Sequence, residues 1–245
     1  MSSSSTILKQ RALEAGGEVV FLVLDCNAEA WEKARVLPSD VILAVSVFRQ
    51  AVWTFHANNQ LSILLSANKK SIILSDRPLT VNDVFHADAG PIELGIDFAL
   101  LQAYKRKRVH KSVTPIRIVV VTASPISNFI VGMNSAFAAQ KLDIVVDVVD
   151  AWPCHNPTAE LVQITQLTSG VYFKPRQDLL DHLYFLVPDA HTRSSMSAIQ
   201  RPAIDLRAEC FCHRTPVSIG YVCSVCLAVY CQIPTNCPSC NVKVR

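Results

Sequence analysis

The sequence predicts an α/β domain, a mainly parallel sheet flanked by helices, followed by a small C-terminal zinc-binding module. Three observations predict it. From residue 19 onward, short β-branched runs alternate with longer helix-compatible segments, the pattern of a sheet covered on both faces. Seven of the nine cysteines fall between Cys210 and Cys240. The 245 residues exceed a usual domain of about 100–200. Half of them are hydrophobic, 18% are charged and the mean hydropathy is +0.28, which excludes a disordered chain and supplies a buried core.

Val19 to Leu24 is uniformly apolar, as in a strand buried on both faces, and ends at Asp25. Ser39 and Asp40 offer an N-cap for a helix over Val41 to Phe55. Leu61 to Leu65 and Ser71 to Leu74, separated by Asn68-Lys69-Lys70, predict a hairpin on the sheet. A helix from Ile92 to Tyr104 ends in Lys105 to Arg108, whose charges suit the negative end of a helix dipole, and Pro115 stops it. Ile116 to Val121 reads as a second continuous apolar run, Phe129 to Gln140 as a helix and Ile144 to Val149 as a third buried strand. Thr158 to Leu167 reads as a helix stopped at Gly170, Val171 to Phe173 as a short last strand, and Leu179 to Leu186 as a final helix stopped by Pro188. Residues 18–187 thus make the α/β domain, 188–207 a linker and 208–245 the cysteine-rich module.

Charge divides unevenly. Residues 1–189 carry 17 Lys+Arg against 18 Asp+Glu, and residues 190–245 carry 6 against 2. An excess of four positive charges falls short of a dedicated nucleic-acid footprint, and aromatic residues are only 7%. The basic run from Lys105 to Lys111 reads as a solvated helix end, with nuclear import or an acidic partner as the functional alternative. Ile118 to Gln140 is free of Asp, Glu, Lys and Arg, but Thr122, Ser124, Pro125, Ser127, Asn128, Asn134 and Ser135 break it, so no membrane span is predicted. Met1 to Thr6 leads on without the apolar stretch of a secretory signal, which predicts a reducing compartment and cysteines that ligate metal.

Cys223-x2-Cys226 and Cys237-x2-Cys240, ten residues apart, supply two knuckles of the kind that holds a tetrahedral zinc ion. A module under 40 residues has too little core to fold by burial alone, so metal ligation would supply its folding energy. Cys210, Cys212, His213 and Cys231 form the candidate set for a second zinc. In a cross-braced order the first and third pairs share one ion and the second and fourth the other, and the third pair here has only Cys231. Spare buried thiols are the alternative for these residues.

No catalytic constellation is visible. The turn after the first strand, Asp25-Cys26-Asn27-Ala28-Glu29, is neither a G-x-G-x-x-G nor a P-loop. Thr122-Ala123-Ser124-Pro125 lacks the nucleophile-elbow form, and the histidines are scattered. The Asp25-x-Asn27-x-Glu29 turn instead resembles the position of the Asp-x-Ser-x-Ser adhesion-site motif in von Willebrand A domains. The later loop, Asp88 to Ile92, lacks the threonine of such a site, and Ala123-Ser124-Pro125 stands where its aspartate would fall. Asp25, Asn27 and Ser124 could hold a hard cation weakly; otherwise Asp25 caps the following turn.

Phe21 to Asp25, Cys210-Phe211-Cys212-His213-Arg214, Ile219-Gly220-Tyr221-Val222-Cys223 and Cys237-Pro238-Ser239-Cys240 together resemble the family of 34-kDa core subunits of general transcription factor IIH (TFIIH). The cysteine order in the tail is the restrictive part. The resemblance implies a von Willebrand A-like domain and a C4 zinc finger at Cys223, Cys226, Cys237 and Cys240. It implies a nuclear, non-catalytic scaffold in RNA polymerase II initiation and nucleotide excision repair. The implied partner is the larger zinc-bearing, A-domain-containing core subunit, in a heterodimer, with any DNA contact indirect or weak. Two rival readings remain: a RING-like ubiquitin-ligase module, which autoubiquitination would reveal, and a direct DNA-binding zinc protein, whose affinity would fall steeply with salt.

Overall fold

The computed structural model describes residues 17–67, 72–74, 78–85, 89–110, 114–153, 158–175, 178–189, 192–193, 210–213, 215, 217–226 and 228–243. The chain separates into two compact units, Met1–Arg201 and Pro202–Arg245. Most of the expected linker, 194–207, and Cys154 lie outside the described residues.

The first unit is a six-stranded sheet in the order β3-β2-β1-β4-β5-β6. Its strands are β1 (Val19–Asp25), β2 (Gln60–Ser66), β3 (Ile72–Leu74), β4 (Ile116–Thr122), β5 (Val145–Asp150) and β6 (Tyr172–Phe173). All neighbours are parallel except β3, which closes the edge as the antiparallel half of the predicted hairpin, Ile63 opposite Leu74. The central strand β1 is buried along its whole length. Its alternate residues serve two layers. Val20, Leu22 and Leu24 join one core with Val41, Val45, Phe48 and Val52 of α2 (Pro38–Phe55) and Leu179 and Leu183 of α7 (Leu179–Tyr184). On the other face Val23 meets α4 (Ile92–His110), where a Cβ on Gly95 would come within 2.7 Å of the Val23 side chain. Helices α5 (Phe129–Lys141) and α6 (Ala159–Leu167) follow β4 and β5, and two short helices, α1 (Ala28–Lys33) and α3 (Val81–Val84), were not read from the sequence.

Several boundaries differ from the sequence reading for local reasons. Helix α2 starts at Pro38, with Leu37 in the N-cap position and no side-chain cap bond, because proline's fixed φ suits the first turn. Ser39 and Asp40 therefore lie inside the first turn. Helix α4 runs to His110, since Lys and Arg are good helix formers and two of them find partners: Arg106 on Gln60 and Lys107 on the carbonyls of Leu142 and Asp143. Helix α6 ends with Ser169, not Gly170, in the left-handed conformation (φ 59°). Gly170 N–H bonds Thr165 O (2.7 Å) and Ser169 N–H bonds Gln166 O (3.2 Å), a Schellman closure. Gly170 is needed for space: a Cβ there would lie 1.9 Å from the Val146 carbonyl oxygen.

The run from Ile116 to Val121 is not continuously apolar. Arg117 is 1% exposed and sits in a buried ion cluster, as does Asp147 on β5. Arg117 reaches Glu18 Oε2 (2.9 Å), Asp147 Oδ2 (3.5 Å) and the Leu186 carbonyl (2.7 Å). Arg193 closes the group at 2.6 Å from Asp147, so the first unit extends past Val187, where the sequence reading placed its end. Two cations and two carboxylates balance in formal charge, which makes their removal from water tolerable. Burial nevertheless raises the Glu18 carboxyl above its ordinary value, against the opposing pull of Arg117 and Arg193.

Candidate metal centres

The second unit is organised by one hairpin. β7 (Tyr221–Val222) pairs antiparallel with β8 (Val229–Tyr230), and the knuckle bearing Cys223 and Cys226 is the turn between them. Cys223 N–H closes that turn onto Ala228 O at 2.9 Å. The second knuckle closes in the same way, Cys237 N–H to Val242 O at 2.8 Å, with Asn241 at φ 57° turning the chain after Cys240. Asparagine is among the few residues that accept this conformation readily.

Cys223, Cys226, Cys237 and Cys240 bring their sulfur atoms within 4.8 Å of one another. Cys223 and Cys240 are 3.7 Å apart, Cys226 and Cys237 3.5 Å. Thiolates about 2.3 Å from a tetrahedral ion would stand about 3.8 Å apart, and a disulfide would need about 2.05 Å, so the spacing suits an ion between the sulfurs.

Cys210, Cys212, His213 and Cys231 converge in the same manner, with donor atoms within 4.8 Å. Cys212 and Cys231 are 3.4 Å apart, and His213 Nδ1 is 3.3 Å from Cys231 and 3.7 Å from Cys210. The place left by an incomplete third pair is taken by His213, adjacent to Cys212 in the chain. The hairpin explains the interleaving: β8 leads away from the first knuckle and delivers Cys231, next after Tyr230, to the other set. Cys212 is exposed, which a spare thiol held as a small buried hydrophobe would not be.

Electrostatics favour a cation in both sets. The Thr215 side chain, 3.4 Å from Cys210 Sγ, and its backbone hold that thiol down at about 5. The Tyr230 hydroxyl, 3.1 Å from Cys237 Sγ, holds its thiol at about 6. Cys231, against Cys212, is pushed up to about 11. Thiolates are thus preformed next to thiols that resist ionising beside them, and a divalent ion relieves that conflict. Among the described residues the module's buried apolar cluster is Cys223, Tyr230 and Cys237, two of which are ligand candidates.

The other candidate, at the carboxyl end of the sheet, is closed by its own hydrogen bonds. Asp25 is fully buried. Its Oδ1 accepts from Asn27 N–H (2.9 Å), and its Oδ2 from the Thr122 hydroxyl and Ala123 N–H (both 3.1 Å). Asn27 caps α1 through Ala30 N–H (3.3 Å) and donates to Ser124 Oγ (3.4 Å). Three of the carboxylate's roughly four lone-pair directions are occupied by protein donors, so its charge is met without a cation. Asp25 caps the turn, the bland role the sequence allowed. Asp150 does the same two strands away, at the end of β5, holding Trp152 N–H (2.9 Å), the Thr158 hydroxyl (2.7 Å) and the Tyr172 hydroxyl (2.6 Å). The sequence reading missed this second staple.

Comparison with known proteins supplies an independent line. The family model described as Transcription factor Tfb4 matches residues 92–241, more than half of the chain and all eight candidate ligands. General transcription factor IIH subunit 3 of Dictyostelium discoideum is 37% identical over 153 residues, covering 60% of this chain and 40% of that protein. General transcription and DNA repair factor IIH subunit tfb4 of Schizosaccharomyces pombe is 26% identical over 264 residues, covering 92% of this chain and 88% of that one. The chain thus spans under half the length of the first relative and most of the second. Among solved structures, the Rpn10 VWA domain superposes with a TM-score of 0.51 at 16% identity, over 77% of this chain and 99% of that one, a likeness of fold.

Proposed function

This chain belongs to the transcription factor Tfb4 family, and from that membership we propose that it is a non-catalytic scaffold subunit of general transcription factor IIH, acting in RNA polymerase II initiation and nucleotide excision repair in the nucleus. The observation that carries this reading is the likeness to a factor IIH subunit along 92% of the chain. The self-satisfied end of the sheet agrees with it: Asp25, Asn27 and Ser124 are engaged in holding loops. In this reading the α/β unit and the module present surfaces to other subunits, chiefly the larger A-domain and zinc-bearing subunit, in a heterodimer.

The cofactor of this reading is zinc, two ions per chain. Cys223, Cys226, Cys237 and Cys240 would hold one, and Cys210, Cys212, His213 and Cys231 the other. Both donor sets are rich in thiolate with at most one imidazole, which suits zinc and excludes the hard cations that take oxygen. Each ion would tie the two halves of the module together and do no chemistry.

The test is affinity purification of the tagged full-length chain from nuclear extract at moderately high salt, with mass spectrometry of what stays bound. Recovery of the helicase-containing factor with its larger A-domain subunit is the expected result. A chain that purifies alone, with no affinity for that subunit, would remove the reading.

A further inference from the structure

Helices α4 and α5 lie side by side and run parallel, in a register fixed by three bridges. Glu93 accepts from Asn128 N–H at 2.8 Å, Asp97 pairs with the Ser135 hydroxyl, and Lys107 reaches the carbonyls of Leu142 and Asp143, the latter at 3.2 Å. The sequence offsets are 35, 38, 35 and 36. That register sets Leu94 level with Ile130 and Leu101 level with Phe137. These four are exposed by 41, 70, 47 and 53%. Their inward neighbours Ile96, Ala99, Leu100, Ala103, Ala136 and Ala139 are buried, so the exposed four form two apolar rungs on the outer face of the pair. The rungs are seven residues apart, about 10.5 Å along the axes. Between them the outer face of α5 carries the exposed Asn134 and that of α4 the half-buried Phe98, which leaves a shallow trough on the α5 side. Tyr104, 41% exposed, continues the α4 side.

The trough is charged at one end. The only acids of α4 and α5 are Glu93 and Asp97, and both are engaged with α5. The cations gather at the carboxyl ends: Lys105 and Arg108, both exposed, with Arg108 stacked 5.7 Å over Tyr104, and Lys141 exposed on α5. A helix end carries a macrodipole of only about half a negative charge, so three exposed cations exceed what the two ends require.

We propose that this face is the seat of an amphipathic helix from another subunit, whose apolar residues repeat at three- and four-residue spacing and whose end over Lys105, Arg108 and Lys141 is acidic. Leu94 to Arg108 spans about 21 Å, the length of about four helical turns, and matched apolar rungs with a charged end are what a helix-in-groove partner reads. The assignment rests on the scaffold reading above and gives it a surface.

The test places a photo-crosslinking benzoylphenylalanine at position 137 of the tagged full-length chain, in complexes drawn from nuclear extract. Two variants run beside it, Leu101→Asp with Phe137→Asp, and Lys105→Glu with Arg108→Glu. All four positions are exposed, and unchanged melting temperature and metal content would verify the fold. The expected crosslink is to a subunit peptide with helical apolar spacing next to at least three Asp or Glu. That subunit should fall at least tenfold in recovery with the apolar variant, and severalfold at low salt, less at high salt, with the charge variant. A crosslink to a peptide lacking acids, to an extended strand or to nucleic acid would overturn the assignment, as would undiminished recovery with the apolar variant. If the wild-type chain retains no factor IIH subunit, the scaffold reading falls and this surface with it; if wild type and variants retain them equally, the surface alone falls.

Discussion

The two units of this chain hold themselves together by different means. The first buries a continuous apolar core from β1 through α2 to α7, with a second layer under α4 to α6. Among its described residues the second buries Tyr230 and the ligand candidates Cys210, Cys223 and Cys237, and leaves Ile219, Val225 and Ile233 more than 60% exposed. Burial at roughly 25 cal/mol per Å² can support the first and cannot support the second. Coordinate bonds must therefore substitute for a core in the module, and agents that remove metal should separate the units while denaturants act on both.

The largest expected effect follows directly. A strong chelator at neutral pH should unfold residues 210–243 and leave the α/β unit intact, because structural zinc supplies about 10–16 kcal/mol in small modules of this kind. Hydrogen exchange resolved along the chain would show loss of protection confined to the module; loss across β1, β4 and β5 would break the comparison. Cys226→Ser and Cys231→Ser sharpen it, since each should lower zinc content by at least one ion per chain.

Next in size is Asp147→Ala, which should destabilise the first unit by about 3–5 kcal/mol, because Arg117 and Arg193 would lose their shared carboxylate inside the protein. Urea unfolding measures the loss, and zinc content should not change. Gly170→Ala should cost about 1–3 kcal/mol by forcing β5 and the end of α6 apart, read by the same unfolding curve. Asn27→Ala should cost about 1 kcal/mol, the worth of a helix cap, and titration of the wild-type protein with magnesium should leave its melting temperature unchanged.

What the sequence made legible, and what it hid, follows the same division. The central strands were readable because β1 is apolar at every core position, and the knuckles were readable because ligand spacing is local. Arg117 was not, since its partners Glu18, Asp147 and the Leu186 carbonyl are scattered along the chain and nothing beside it signals a buried charge. A charged residue inside an otherwise apolar strand is itself the available clue. The role of His213 was half legible: its chain position put it among the donors, but only the β7–β8 hairpin explains how Cys231 reaches it. The Asp25 turn was readable as an adhesion-type position, whereas the donors that satisfy it, Thr122 and Ala123, come from a strand nearly a hundred residues later.

The measurement that bears most directly on the two-means account is native mass spectrometry of the full-length chain, with and without chelator, paired with hydrogen exchange of both samples. The account predicts two zinc ions per chain and, on their removal, a module without protection beside an α/β unit that keeps it. A chain with no bound zinc whose module is nevertheless protected would contradict it.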